Sequence, residues 1–204
     1  EAMKENTTGS ANTVIGKQAM FNSNGHAASE NVFVGILSGG GNWAAGSSYN
    51  VGVGSYSLYG AMDSAQFNVA VGQSALRNLV SGDYNIAMGY ASLDAADGGE
   101  SNNIAIGTNS MGNVNHDNSD HNVCVGDSTL LGGTGTVTKN VAIGNNAMGT
   151  GVGNNDQTGT VAVGFDALQD LTSGASNTAV GYQALRLLTT GGANTVMGYQ
   201  AAPL

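Results

Sequence analysis

The densest group of metal-binding side chains in the sequence is His116-Asp117-Asn118-Ser119-Asp120-His121. Imidazole and carboxylate groups are transition-metal ligands, so His116, Asp120 and His121 are the candidate ligands of any metal site. A solvated polar loop explains the same residues with fewer assumptions, and no metal or other cofactor is expected. His26 stands alone and reads as a loop residue. Carboxylates are scattered at Asp83, Asp94, Asp97, Asp156, Asp166 and Asp170. Their oxygens suit calcium, but the GGxGxD repeat of calcium-binding β-helices is missing. Solvated surface charge is the expectation for them. Two carboxylates can hydrolyse a glycosidic bond, yet nothing in the sequence selects a pair.

Other catalytic signatures are absent. The sequence contains no GxxxxGK[ST] phosphate loop and no GxSxG nucleophile elbow. Gly39-Gly40-Gly41 is followed by no helical pattern. Cys124 is the single cysteine, so no intrachain disulfide forms. It stands where alanine is usual and reads as a small buried residue. No catalytic residue is assigned, and the chain is not expected to be an enzyme. Aromatic residues gather at Phe33, Trp43, Tyr49, Tyr56, Tyr59 and Phe67. Trp43, Tyr49 and Tyr59 are the candidate contacts to a receptor, because exposed rings stack on sugars and anchor proteins. Packing of a longer loop onto the body of the protein is the simpler alternative.

Composition narrows the classes further. Glycine is 33 of 204 residues and proline occurs once, at Pro203. Glycine does not recur at every third position, which excludes collagen. Only 9% of residues are charged, and the net charge is −9. The surface is therefore mostly Asn, Ser, Thr, Gly and Gln. The five basic residues, Lys4, Lys17, Arg77, Lys139 and Arg186, are spread along the chain. No basic patch exists to neutralise phosphates, so neither nucleic acid nor an anionic membrane is an expected partner. No apolar run reaches the ~20 residues of a membrane span. No leader is read at the N-terminus. The repeats run close to both ends, so a fragment of a longer fibre protein is expected.

The elements that must position these side chains come from a repeat. Eleven copies of one nine-residue motif begin at Asn12, Asn31, Asn50, Asn68, Asn85, Asn103, Asn122, Asn140, Thr160, Asn177 and Asn194. They start 17 to 20 residues apart, and NVAVGQSAL (68–76) and NTAVGYQAL (177–185) are representative. Position two is Val, Ile or Thr, and position four is Val, Ile or Met. Position five is always glycine: Gly16, Gly35, Gly54, Gly72, Gly89, Gly107, Gly126, Gly144, Gly164, Gly181 and Gly198. Alternation about position three predicts a β-strand. Position three is itself apolar, so both faces of the strand are expected to be buried. The glycine is expected to end the strand, with a positive φ or a second backbone pressed against it. Position-one Asn suits a turn before the strand, and stacked copies of it suit an amide ladder. Positions six to nine predict a second, shorter strand, followed by a polar loop of eight to eleven residues.

The whole chain, residues 1–204, therefore reads as one all-β domain, an elongated parallel β-solenoid of about eleven rungs with repeats from 12 to 202. Rungs this small hide little volume. An apolar stripe repeated eleven times exceeds what a soluble monomer exposes, so other copies of the chain are expected to cover it.

The NxAVGxxAL units resemble the head repeats of YadA-type trimeric autotransporter adhesins, and still more the NTAVGYQAL repeats of bacteriophage tail fibres. The resemblance runs from Asn12 to Ala202. It implies a left-handed parallel β-roll, an intertwined homotrimer, an extracellular location on a virion tail or a bacterial surface, and a role in attachment. A cell-surface glycan or a protein receptor is the partner it implies. The rungs here are longer than adhesin head repeats. A phage tail fibre is the leading expectation, an adhesin head the alternative, and a self-assembling extracellular filament a third.

Overall fold

Most of the position two-to-four tripeptides have two β-branched residues flanking a small one, a pattern that favours extended backbone. In a computed structural model of the chain, these tripeptides are three-residue strands. The structure describes residues 1–149 and 156–202; Pro203 lies outside them. The strands are β1 (Thr13–Ile15), β2 (Val32–Val34), β3 (Val51–Val53), β4 (Val69–Val71), β5 (Ile86–Met88), β6 (Ile104–Ile106) and β7 (Val123–Val125). They continue with β8 (Val137–Thr138), β9 (Val141–Ile143), β10 (Gln157–Thr158), β11 (Val161–Val163), β12 (Thr178–Val180) and β13 (Thr195–Met197). No helix occurs among the described residues.

Eleven of these strands form one parallel sheet in chain order, and β8 pairs with β10 in a second, two-stranded sheet. The register never slips: Val69 pairs with Ile86, Ala70 with Ala87, and Val71 with Met88, and the same positions pair throughout. Parallel strands joined by a returning loop make a solenoid of about ten turns. Hydrogen bonds between turns stack the rungs at the ~4.8 Å strand spacing.

One expectation is corrected. Positions six to nine form no second strand; they are a run of turns. The reason lies in backbone angles. Positions seven and nine are left-handed in successive rungs, as at Ser74 (φ 61°) and Leu76 (φ 48°), or Gln183 (φ 55°) and Leu185 (φ 50°). Their amides then point alternately to the rung before and the rung after. Ser74 N–H donates to the Ser55 carbonyl, and Leu76 N–H donates to the Ser92 carbonyl. Main-chain bonds to both neighbours offset a conformation that costs non-glycine residues about 1–3 kcal/mol.

Burial on the single chain is one-sided. Position three faces inward and is fully buried at Ala70, Ala87, Ala105, Cys124, Ala142 and Ala162. Positions two and four face outward and stay partly exposed on the single chain. The roll is so thin that only small residues fit its strand side. Leu and Met at position nine fill it from the opposite wall: Met20, Leu58, Leu76, Leu93, Met111, Leu130, Met148 and Leu168 are all fully buried. Leu79, Val114 and Leu171 from the returning loops complete this core.

The position-one asparagines also face inward. Asn85 Nδ2 donates to Asn68 Oδ1 at 3.0 Å and to the Glu100 carbonyl at 2.7 Å. Asn85 Oδ1 in turn accepts the Asn103 backbone N–H at 3.0 Å. The same links join Asn31, Asn50, Asn68, Asn103, Asn122 and Asn140. This amide ladder satisfies polar groups inside a dry core, where an unpaired group would be strongly destabilising.

The repeat glycines show both expected features. Their φ values lie between 125° and 144° at the eleven positions. A β-carbon on Gly72 would fall 2.3 Å from the Gly89 carbonyl oxygen, which no side chain tolerates.

Candidate interaction surfaces

Alternation in the strand continues beyond it on both sides, so positions zero, two, four and six share the outer face. Position zero, just before the Asn, is left-handed at Tyr49 (φ 62°), Phe67 (φ 58°) and Tyr84 (φ 58°). Those three rings stack in register. Tyr49 and Phe67 lie 4.8 Å apart at 5°, and Phe67 and Tyr84 lie 5.0 Å apart at 4°. Position six carries a second ladder near the C-terminus, Phe165–Tyr182–Tyr199, with centroids 5.5 and 5.1 Å apart. Between the ladders run the position-two and position-four ridges. Val53, Met88, Ile106, Val125 and Ile143 are exposed on them. The result is an apolar ridge along the middle of the sheet's outer face, bordered in other rungs by polar residues such as Glu30, His121 and Lys139 at position zero and Lys17 and Asp127 at position six.

Beyond the glycine corner, a flank formed by position seven and by the residue after position nine is polar. It begins at Tyr56 and Tyr59, which meet edge to face at 5.5 Å. The Arg77 guanidinium lies 5.6 Å over the Tyr56 ring. A hollow of about 450 Å³ follows, lined by Asn78, Asp94, Asn109, Gly112, Asn113, Ser128 and Leu131 among others. Gly112, buried against the Asn109 backbone, forms part of its wall. Asn78 Nδ2 donates to the Asp94 carbonyl at 2.8 Å. Burial pushes the Asp94 carboxyl above its ordinary range; a hydrogen bond from its own backbone amide and the charge of Arg77 oppose this in part.

The candidate metal ligands are not brought together. His116 Nδ1 accepts the Asn118 N–H at 3.3 Å within its own loop. Asp120 Oδ1 accepts the Ser101 backbone N–H at 2.7 Å. His121 is exposed at position zero of its rung. Among the described residues no three His, Cys, Asp or Glu side chains converge on a point that could hold a metal ion. Several acids expected to be solvated charge instead tie rungs together: Asp83 accepts the Gln66 N–H at 2.7 Å, and Asp156 the Thr136 N–H at 3.0 Å. Serines share this duty, as when Ser29 N–H donates to Ser48 Oγ.

Of the three candidate receptor aromatics, Trp43 is fully buried and packs edge to face on Phe33 at 6.1 Å. A long loop folds it into the core, so it offers nothing to a receptor. Tyr49 stands exposed in its ladder, and Tyr59 is half-buried on the flank. Cys124 is buried on the strand, and burial raises its thiol far above the ordinary range.

Glu100 is a residue that repeat-reading passed over. It is fully buried in the column that receives the asparagine Nδ2 bonds. Its Oε2 accepts the Gly98 N–H at 3.0 Å, and its Oε1 has no partner among the described residues. Burial pushes its pKa up from 4.5; backbone hydrogen bonds lower it, and Asp97 and Asp117 raise it further. A glutamate at a loop position occupied by Ala65 and Gly82 in earlier rungs was the signal for it.

Among the described residues no helix is long and apolar enough to cross a membrane. No protein-family model, curated protein or solved structure matches the chain.

Proposed function

We propose that this chain is a segment of an extracellular trimeric fibre, a phage tail fibre used in host attachment, with three parallel copies closed on one another through their sheets. One observation carries the reading: the outer face of the eleven-stranded sheet is a long ridge of Val, Ile and Met left partly exposed by the single chain. Soluble proteins seldom leave so long an apolar surface uncovered. Covering by sister chains answers this, because each copy presents the same ridge at the same height along the rod. Threefold closure follows the resemblance of the NxAVGxxAL repeats to trimeric fibres. A stiff, low-charge rod also suits a spacer or a receptor-presenting surface better than a catalyst.

The test is particle mass in solution by sedimentation or light scattering. The native chain should contain three copies per particle. Ile106→Lys places a charge on the ridge, where Ile106 is 37% exposed, and should shift the mass to one copy without loss of β-structure. A soluble native monomer would overturn the proposal.

A further inference from the structure

We infer that the polar flank beyond the glycine corner binds a neutral saccharide. The flank is separate from the apolar ridge, so closure of chains through the ridge leaves it facing outward. Its hollow is lined by Asp94, Asn109, Asn113 and Ser128, with Gly112 between them; the Ser128 hydroxyl donates to Asp127 Oδ1 at 3.1 Å and keeps its acceptor capacity. The asparagines of the core ladder are engaged on both sides, whereas the Asn109 and Asn113 side chains make no hydrogen bond among the described residues. Sugar hydroxyls both donate and accept. A side-chain amide offers both functions, and a carboxylate accepts from two hydroxyls at once. Tyr59 lies further along the same flank and offers apolar ring surface to the C–H face of a sugar. The net charge of −9 and the Asp94 carboxyl in the hollow disfavour an anionic sugar.

This inference deepens the attachment reading by giving it a ligand, but the binding is measured independently of assembly. Saturation-transfer NMR on the intact chain would use methyl glycosides of glucose, galactose, mannose and N-acetylglucosamine, with glucuronate as the anionic control. At least one neutral glycoside should bind with a Kd of about 1 mM. Asp94→Asn and Asn113→Ala should each weaken it about tenfold with thermal unfolding unchanged. If Asp94→Asn fails to fold, the exposed Asn113 carries the test alone. The inference is overturned if no neutral glycoside saturates, if glucuronate binds as well, or if the Asn113 variant binds like the native chain. Particle mass is recorded on the same samples. A sugar-binding monomer would remove the fibre reading and leave this site standing; a trimer blind to sugars would do the reverse.

Discussion

The ring of Phe33 fills the space in which Gly52 has no side chain: a β-carbon on Gly52 would fall 2.7 Å from Phe33 Cδ1. Both residues occupy position three, in adjacent rungs, where alanine is usual. Gly39, at position nine of the Phe33 rung, makes room in the same way, with the ring 2.8 Å from where its β-carbon would be. Three departures from the repeat are thus one packing solution. Phe33→Ala should destabilise the chain by about 3–5 kcal/mol through the cavity it leaves. Gly52→Ala alone should cost about 1–3 kcal/mol by overpacking. Combined, the two changes restore the alanine column, so the double variant should be more stable than the sum of the single effects. Additive losses in chemical denaturation would refute this coupling.

Gly144 tests the corner. Its φ is 125°, and a β-carbon there would lie 2.5 Å from the Gly164 carbonyl oxygen. Gly144→Ala should lower stability by about 3 kcal/mol or more, since backbone strain and a clash with the next rung add. A melting temperature equal to the native one would show that the rungs are not stacked as described.

Thr160 interrupts the asparagine ladder. Its Oγ1 accepts the Asn177 N–H at 3.4 Å, a longer contact than the 2.9–3.1 Å made by asparagines to the next backbone amide. Thr160→Asn should shorten this contact and add a bond from Asn177 Nδ2, raising stability by about 1 kcal/mol. A lower midpoint in urea would mean that the site is shaped for threonine.

Glu100 makes stability depend on pH. Its folded pKa is raised above the ordinary 4.5, chiefly by burial. The folded state therefore holds the proton more tightly than the unfolded state. The penalty is absent below the ordinary value, grows as pH rises through the folded pKa, and is complete above it. Glu100→Gln should thus stabilise the chain near pH 7 and change little near pH 4. Thermal melts across that range check it; an equal effect at both ends would show that charge is not the cause.

Much of this architecture was legible in the residues. Eleven glycines at one position, flanked by β-branched residues, specify a stacked strand with a bare corner, because only glycine accepts both the φ and the neighbouring carbonyl. The buried asparagine ladder follows from repeating one amide at one height. The second half of each rung was not legible. Gln183-Ala184-Leu185 has no local signal for left-handed backbone at Gln183 and Leu185; those angles are favourable only when rungs above and below supply hydrogen bonds. The inward turn of position three was likewise hidden, since Ala and Val are both apolar and only the thickness of the roll decides which fits inside. Trp43, Glu100 and the Gly112 hollow depend on where loops of unequal length come to rest. Sequence by itself determined the repeat, its strand and its corner, because these obey local sterics. The tertiary stack decided which face is buried, which acids serve as rung ties and where the flank is hollow, because those depend on neighbours 17 to 20 residues away.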